Sequence, residues 1–129
     1  ASGWIEEMER TSVRSWARRT QRERMGSQMP VAGIEWWSDL MGKTALSTVY
    51  AYMNWVGAID IREDIKRIQC ATLVIGTDTA RRGRAVFEGL QKTIPDSELA
   101  ILPIDGYHAA GTDPDNTARV TLDFIARHS

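Results

Sequence analysis

The order of elements in the second half of the chain constrains its fold most. Two apolar runs, Thr72–Ile75 and Glu98–Pro103, flank a segment in which Val86, Leu90 and Ile94 recur at helical spacing. Two such runs joined by a helix predict adjacent parallel strands with a right-handed crossover. The sequence therefore predicts an α/β fold with strand, helix and strand in succession.

A histidine follows the second predicted strand in a short loop, Gly106–His108. Open α/β sheets carry their chemistry at the carboxyl ends of the strands, so this loop is a candidate site. Thr112 or Asp113, together with Pro114, predicts the start of a last helix. The apolar face of that helix is formed by Ala118, Leu122 and Ile125.

The first half of the chain has helical character and no predicted strand. Trp4, Met8 and Trp16 lie near one stripe of a helical segment that runs to about residue 24, before Gly26 and Pro30. Further helices are predicted around residues 34–42 and 44–55. The boundary between the helical part and the strand-containing part falls around residues 57–62.

Three fragments of the second half are specific when their order and spacing are taken together. They are DIREDIKRIQCATLVI at Asp60–Ile75, IPDSEL at Ile94–Leu99 and LPIDGYH at Leu102–His108. They resemble the carboxyl-terminal half of α/β-hydrolase-superfamily proteins, in the branch of 3-oxoadipate enol-lactonases, meta-cleavage-product hydrolases and related esterases. The resemblance implies a helical cap, or lid, at residues 1–57 and the carboxyl-terminal part of the core at residues 58–129.

The resemblance also implies a catalytic role for His108, because the superfamily places its general base in the loop after the last strand. In that chemistry a neutral imidazole takes the proton of the nucleophile and returns it to the leaving group. His128, one residue from the end, has no such context and is expected to be solvated.

The acid that orients the histidine is less well defined. In the family the loop after the first of these strands reads Gly-x-x-Asp, whereas here it reads GTDTAR at Gly76–Arg81. The family's acidic position therefore falls at Thr79 or Ala80. Asp78 is the candidate acid in this chain, and the alternative is an acid on the missing half of the protein. Asp105 is expected to turn the loop before His108.

The chain lacks the nucleophile that such an enzyme needs. Its 129 residues contain no Gly-x-Ser-x-Gly elbow and no glycine-rich oxyanion segment. We therefore expect an amino-terminal half, on a separate or cleaved polypeptide, to carry the nucleophile of a two-chain hydrolase. The implied substrate is a small molecule with an ester, lactone or vinylogous carbon–carbon bond.

Two other interpretations remain open. The chain is alternatively a non-catalytic α/β-hydrolase-like module with a degenerate triad, which binds a ligand or scaffolds a partner. A self-sufficient small domain is the third interpretation. This third interpretation is disfavoured, because two such apolar strands need neighbours on their open edges and faces.

Aromatic and thioether side chains indicate a largely apolar substrate. Such groups bind rings and acyl chains, although the competing interpretation is that most of them pack the cap helices or contact the missing half. The candidate substrate-binding residues are Trp36, Trp37, Met41, Trp55 and Tyr107.

Composition narrows the class of protein further. A hydrophobic content of 43%, a net charge of −1 and the lack of a bilayer-length apolar stretch indicate a soluble protein that does not enter membranes. The arginine-rich run between Arg10 and Arg24 is balanced by glutamates, which favours a solvated helical face over a nucleic-acid surface. The single cysteine, Cys70, is expected to be a buried thiol in a reducing, cytoplasmic compartment.

The sequence predicts no cofactor. Its two histidines and one cysteine lie far apart and lack the spacing of metal ligands. Phosphate-loop and dinucleotide-binding fingerprints are also absent from the sequence. A cofactor-free mechanism is therefore expected.

Overall fold

The computed structural model of the protein describes residues 2–79 and 83–129. The chain divides into two compact units: Ala1–Glu23 with Met29–Asp60, and Arg24–Gln28 with Ile61–Ser129. The short segment Arg24–Gln28 thus belongs to the second unit, although residues of the first unit flank it in sequence. The division into a cap at 1–57 and a core at 58–129 stays a prediction, because compactness does not assign those roles.

The first unit is helical. Its helices are α1 (Ser2–Arg10), α2 (Val13–Met25), α3 (Val31–Gly42) and α4 (Leu46–Val56), and the last two residues of α2 belong to the second unit. Among the described residues, no helix has the length and apolar character needed to cross a membrane.

Hydroxyl side chains separate α1 from α2. The Ser12 hydroxyl accepts a hydrogen bond from the backbone N–H of Ser15 at 3.0 Å, which is the geometry of a helix N-cap. The preceding Thr11 hydroxyl donates to the Glu7 carbonyl at 2.8 Å and satisfies a group in the last turn of α1. The prediction of one helical segment through residue 24 is therefore wrong at this point.

The core of the first unit is formed by Met8, Val13, Trp16 and Ala17, all buried. The Trp4 ring lies 5.5 Å from the Trp16 ring, a contact that stabilises a protein by about 0.5–1.5 kcal/mol beyond burial alone. The predicted stripe of Trp4, Met8 and Trp16 thus faces this core. The partly buried residues that pack against it are Trp4, Ile5, Met41, Leu46, Val49 and Met53.

The arginine-rich run of α2 is ion-paired within the first unit. Arg18 contacts Glu35 at 2.8 Å, Arg14 contacts Asp39, and Arg19 contacts Glu7. The hydrogen bond from Arg19 lowers the pKa of the Glu7 carboxyl. The arginine side chains are at least half exposed, so solvent screens these pairs and each contributes little to stability.

A parallel pair of strands organises the second unit. β1 (Thr72–Thr77) pairs with β2 (Ser97–Leu102), with Thr72 opposite Ser97 and Thr77 opposite Leu102. Helix α5 (Arg84–Thr93) connects them, and α6 (Ala109–Thr112) and α7 (Pro114–His128) follow β2. The predicted order of strand, helix, strand, loop and helix is confirmed.

The helix faces differ from the predicted ones. Ile94 is 6% exposed as expected, but Val86 is 58% exposed and Leu90 is 38% exposed. The reason is Gly76 in β1, which leaves a notch that the Phe87 ring fills. When the Phe87 ring packs against Gly76, Val86 and Leu90 lie on the side of α5 that is exposed.

The apolar stripe of α7 also faces outward. Leu122 is 64% exposed and Ile125 is 50% exposed, although both were expected on the packed face. The half-buried residues of the helix are Asn116, Thr117, Val120, Thr121 and Phe124. Both helices therefore present an apolar stripe that the described residues leave uncovered.

The carboxyl end of α7 is attached to β2. His128 Nε2 lies 2.9 Å from Glu98 Oε1, and Arg127 donates to the other oxygen of Glu98 at 2.5 Å. The His128 ring also lies 4.4 Å from the Phe124 ring. His128 is exposed, as expected, and its ring is in addition held by Glu98. Cys70, which was expected to be buried, is exposed.

Gly76→Ala should destabilise the second unit by about 1–3 kcal/mol, because a Cβ there would lie 2.4 Å from the Phe87 ring. Gly89→Ala in α5 is the matched control, since its Cβ would meet nothing within 4 Å and should stabilise the helix by about 0.5–1 kcal/mol. Circular dichroism during urea unfolding measures both. Equal stability of the two variants would contradict the close packing of the Phe87 ring against Gly76.

The pair between α7 and β2 should make stability depend on acid pH. Hydrogen bonds from His128 and then Arg127 lower the pKa of Glu98 below its ordinary 4.5. The ionised Glu98 therefore contributes its full stabilisation at pH values above the ordinary pKa of 4.5. This contribution is lost as the pH falls through the lowered pKa of Glu98 in the folded protein.

Glu98→Gln should accordingly lower the free energy of unfolding at about pH 6, and the difference from the parent should shrink by about pH 3. Glu88→Gln is the control, because Glu88 pairs with Arg84 within α5. Circular dichroism is the suitable probe, since all 5 tryptophans lie in the first unit. A pH profile unchanged by Glu98→Gln would contradict this account.

Candidate functional site

The candidate site lies where β1 and β2 end. Because the strands are parallel and Thr77 pairs with Leu102, both chains leave the sheet at the same edge. His108 follows β2 within this edge region, immediately before α6, and its side chain is exposed. Its ring lies 4.9 Å from the Tyr107 ring. The imidazole is thus accessible to a reacting group.

Asp78, the predicted acid, comes directly after β1 and is exposed. One of its carboxylate oxygens accepts a hydrogen bond from the backbone N–H of Arg84 at 3.3 Å, at the first residue of α5. Asp78 therefore satisfies one of the unpaired donors at the start of that helix. Of the two positions aligned with the family acid, Thr79 is half-buried and Ala80 lies outside the described residues.

A cleft of about 530 Å³ opens beside these strand ends within the second unit. Three charged residues, Asp78, Arg84 and Asp105, are among those that line it, and the Arg84 side chain is ion-paired with Glu88 at 3.0 Å. Such a mixture of charged and apolar walls suits a small ligand with polar groups. The residues that line it are Ser27, Gln28, Asp78, Arg84, Ile101, Leu102, Pro103, Ile104 and Asp105.

Asp105, which was expected to turn the loop before His108, also attaches this loop to another segment of the chain. Its Oδ1 atom accepts a hydrogen bond from the backbone N–H of Ser27 at 2.8 Å. The sequence pattern does not predict this partner segment, Arg24–Gln28. The only signal was Gly26, which marks a helix end, and nothing in the local pattern connects it to a loop about eighty residues later.

The candidate substrate-binding residues are divided between the units. Trp36 and Trp55 of the first unit are 58% and 63% exposed, and Trp37 contacts Trp36 edge-on at 4.9 Å. Met41 packs against the core of the first unit. Tyr107 lies in the second unit beside His108. Their role in binding a substrate stays a prediction.

Within residues 2–79 and 83–129, no three His, Cys, Asp or Glu side chains cluster in a way that could hold a metal ion.

The sequence matches no protein-family model and no curated protein. The fold, however, is similar to that of solved structures. A hydrolase from Oleispira antarctica superposes with a TM-score of 0.82 at 18% identity, over 97% of this chain and 46% of that chain. A thermophilic esterase from Thermogutta terrifontis, with malate bound, superposes with a TM-score of 0.80 at 17% identity, over 98% of this chain and 48% of that chain.

These similarities show a shared fold. The predicted α/β class, with its parallel strands and flanking helices, is confirmed. The chain spans about half the length of the hydrolase and esterase structures that it resembles.

Proposed function

We propose that this chain is the carboxyl-terminal half of a serine-type hydrolase that acts on an ester, lactone or carbon–carbon bond of a small, largely apolar substrate. The supporting observation is the position of His108. It is an exposed histidine in the loop after β2, at the carboxyl edge of a parallel pair, in a fold similar to hydrolase and esterase structures. In this proposal residues 1–57 form the cap.

His108 acts first as a base and then as an acid in the proposed mechanism. Its neutral imidazole accepts the proton of a serine hydroxyl as the serine oxygen bonds to the substrate carbonyl carbon. The resulting imidazolium then gives that proton to the leaving group as the bond to it breaks. Water repeats the sequence on the acyl-enzyme and releases the acid product.

The serine comes from an amino-terminal half in this proposal. Parallel sheets are normally covered on both faces, yet the second unit exposes apolar stripes on α5 and α7. The similar structures are about twice as long as this chain, which matches a missing partner segment. We propose that this segment covers the exposed residues Val86, Leu90, Leu122 and Ile125.

The remaining roles follow from the same proposal. Asp78 or a carboxylate on the amino-terminal half orients the imidazole of His108. The reaction needs no cofactor, and the single exposed Cys70 suits a reducing, cytoplasmic compartment. The proposed substrate-binding side chains are Trp36, Trp37, Met41, Trp55 and Tyr107.

A second candidate function is a non-catalytic module that binds a ligand or scaffolds a partner. The observation that favours it is the sequence GTDTAR at Gly76–Arg81, which departs from the Gly-x-x-Asp pattern of the family's acid loop. The experiments below separate the two functions, because a competent triad reacts with a serine-directed probe and a degenerate one does not.

His108→Ala should abolish reaction of the complete, natively purified protein with a fluorophosphonate and lower kcat for a model ester by about 10³-fold. His128→Gln is the matched control, because it alters the other histidine without touching the loop. A denaturing intact-mass spectrum identifies the labelled polypeptide. Normal turnover of the His108 variant, or an unreactive parent protein, would contradict the proposed hydrolase.

Asp78→Asn should separate the two uses of Asp78. Asparagine keeps an oxygen acceptor for the Arg84 N–H, so α5 should keep its stability. Asp78→Ala removes this acceptor and should lower the free energy of unfolding by about 0.5–1 kcal/mol. If Asp78 is the triad acid, as we propose, kcat of the Asn variant falls by about 10³-fold or more. Full activity of Asp78→Asn would assign the acid to the amino-terminal half.

A further inference from the structure

We infer that the segment Arg24–Gln28 positions His108 for the proposed reaction, and this inference rests on the proposed function. The segment belongs to the second unit and contacts the loop on both sides of the histidine. None of its groups is assigned a chemical step. Its role is to fix the main chain from which the imidazole projects.

Before the histidine, the segment is attached to the start of the loop by hydrogen bonds. The Ser27 N–H donates to Asp105 Oδ1 at 2.8 Å. The side-chain amide of Gln28 donates to the Pro103 carbonyl at 3.2 Å. The chain leaving β2 is therefore held along the segment before it reaches His108.

The main chain of His108 is hydrogen-bonded in both directions. The Arg24 carbonyl accepts from the N–H of Tyr107 at 2.8 Å and from that of His108 at 3.4 Å. The His108 carbonyl accepts from the N–H groups of Gly111 and Thr112, each at 3.0 Å. With both groups engaged, the main chain of His108 is fixed, and with it the direction of the Cα–Cβ bond from which the ring projects.

After the histidine, Thr112 completes the attachment. Its hydroxyl donates to the Met25 carbonyl at 2.7 Å, in a partly buried position. The carbonyls of Arg24 and Met25 lie in the last turn of α2, where a helix cannot pair them itself. The histidine loop supplies the missing donors, so the end of α2 and the loop stabilise each other.

Two glycines bring these backbones into direct contact. Gly26 has a φ of +81°, and a Cβ there would lie 2.3 Å from Asp105 Oδ1. A Cβ on Gly106 would lie 2.4 Å from the Met25 carbonyl carbon. Because no side chain separates the two segments, a shift of one is transmitted to the other, and a small misplacement of a catalytic group lowers turnover strongly.

The test removes one hydroxyl from this arrangement. In the complete protein, Thr112→Val should lower kcat about tenfold and leave KM within about twofold, because the base is misplaced while binding is retained. Thr112→Ser keeps the donor and should restore kcat. Thr121→Val is the matched control, since the Thr121 hydroxyl also donates to a carbonyl at 2.7 Å but within α7.

Hydrogen exchange of the loop gives a second measurement that does not require activity. Thr112→Val should accelerate exchange of the Tyr107 and His108 amides about tenfold, and neither Thr112→Ser nor Thr121→Val should do so. Unchanged exchange, an unchanged kcat in an active protein, or a serine variant as impaired as the valine variant would overturn the inference. An inactive parent would instead contradict the proposed function, and the exchange rates would still decide whether the segment holds His108.

Discussion

Parallel pairing of β1 with β2 is the constraint on which the second unit depends. The register from Thr72 opposite Ser97 to Thr77 opposite Leu102 makes both strands end at one edge. A parallel pair requires a crossover, and α5 supplies it while packing its Phe87 ring over Gly76. The loops that carry Asp78 and His108 therefore leave the sheet at the same edge, as a site built from two loops requires.

The same pairing leaves the second unit with uncovered apolar surface. A parallel sheet is stable when helices or further strands cover it, and two strands alone bury little. Because they are already partly buried, side chains such as Leu122 and Val86 would each contribute about 1–2 kcal/mol if they became fully buried. Their exposure of 64% and 58% leaves apolar surface that the proposed amino-terminal half would cover.

The predictions succeeded where local pattern decides the structure. Short apolar runs, a helix-length connection and a glycine-containing loop identify β1, β2 and the position of His108. The predictions failed where a residue that is distant in sequence determines the local structure. The rotation of α5 depends on the notch at Gly76, and the support of the His108 loop depends on Gly26 meeting Gly106, about eighty residues away. Periodicity carries no information about such contacts.

Asp78 and Asp105 each have one carboxylate oxygen engaged by a backbone N–H. Asp105 Oδ1 is used by the Ser27 N–H, which ties it to the segment that holds the loop. Asp78 Oδ1 accepts from the Arg84 N–H. An ionised carboxylate has about four acceptor positions, so a helix-capping bond and a bond to an imidazole are compatible in one residue. In the proposed function, capping would even favour catalysis, because it fixes the carboxylate that we propose orients His108. The structural use of Asp78 is thus no argument against its chemical one.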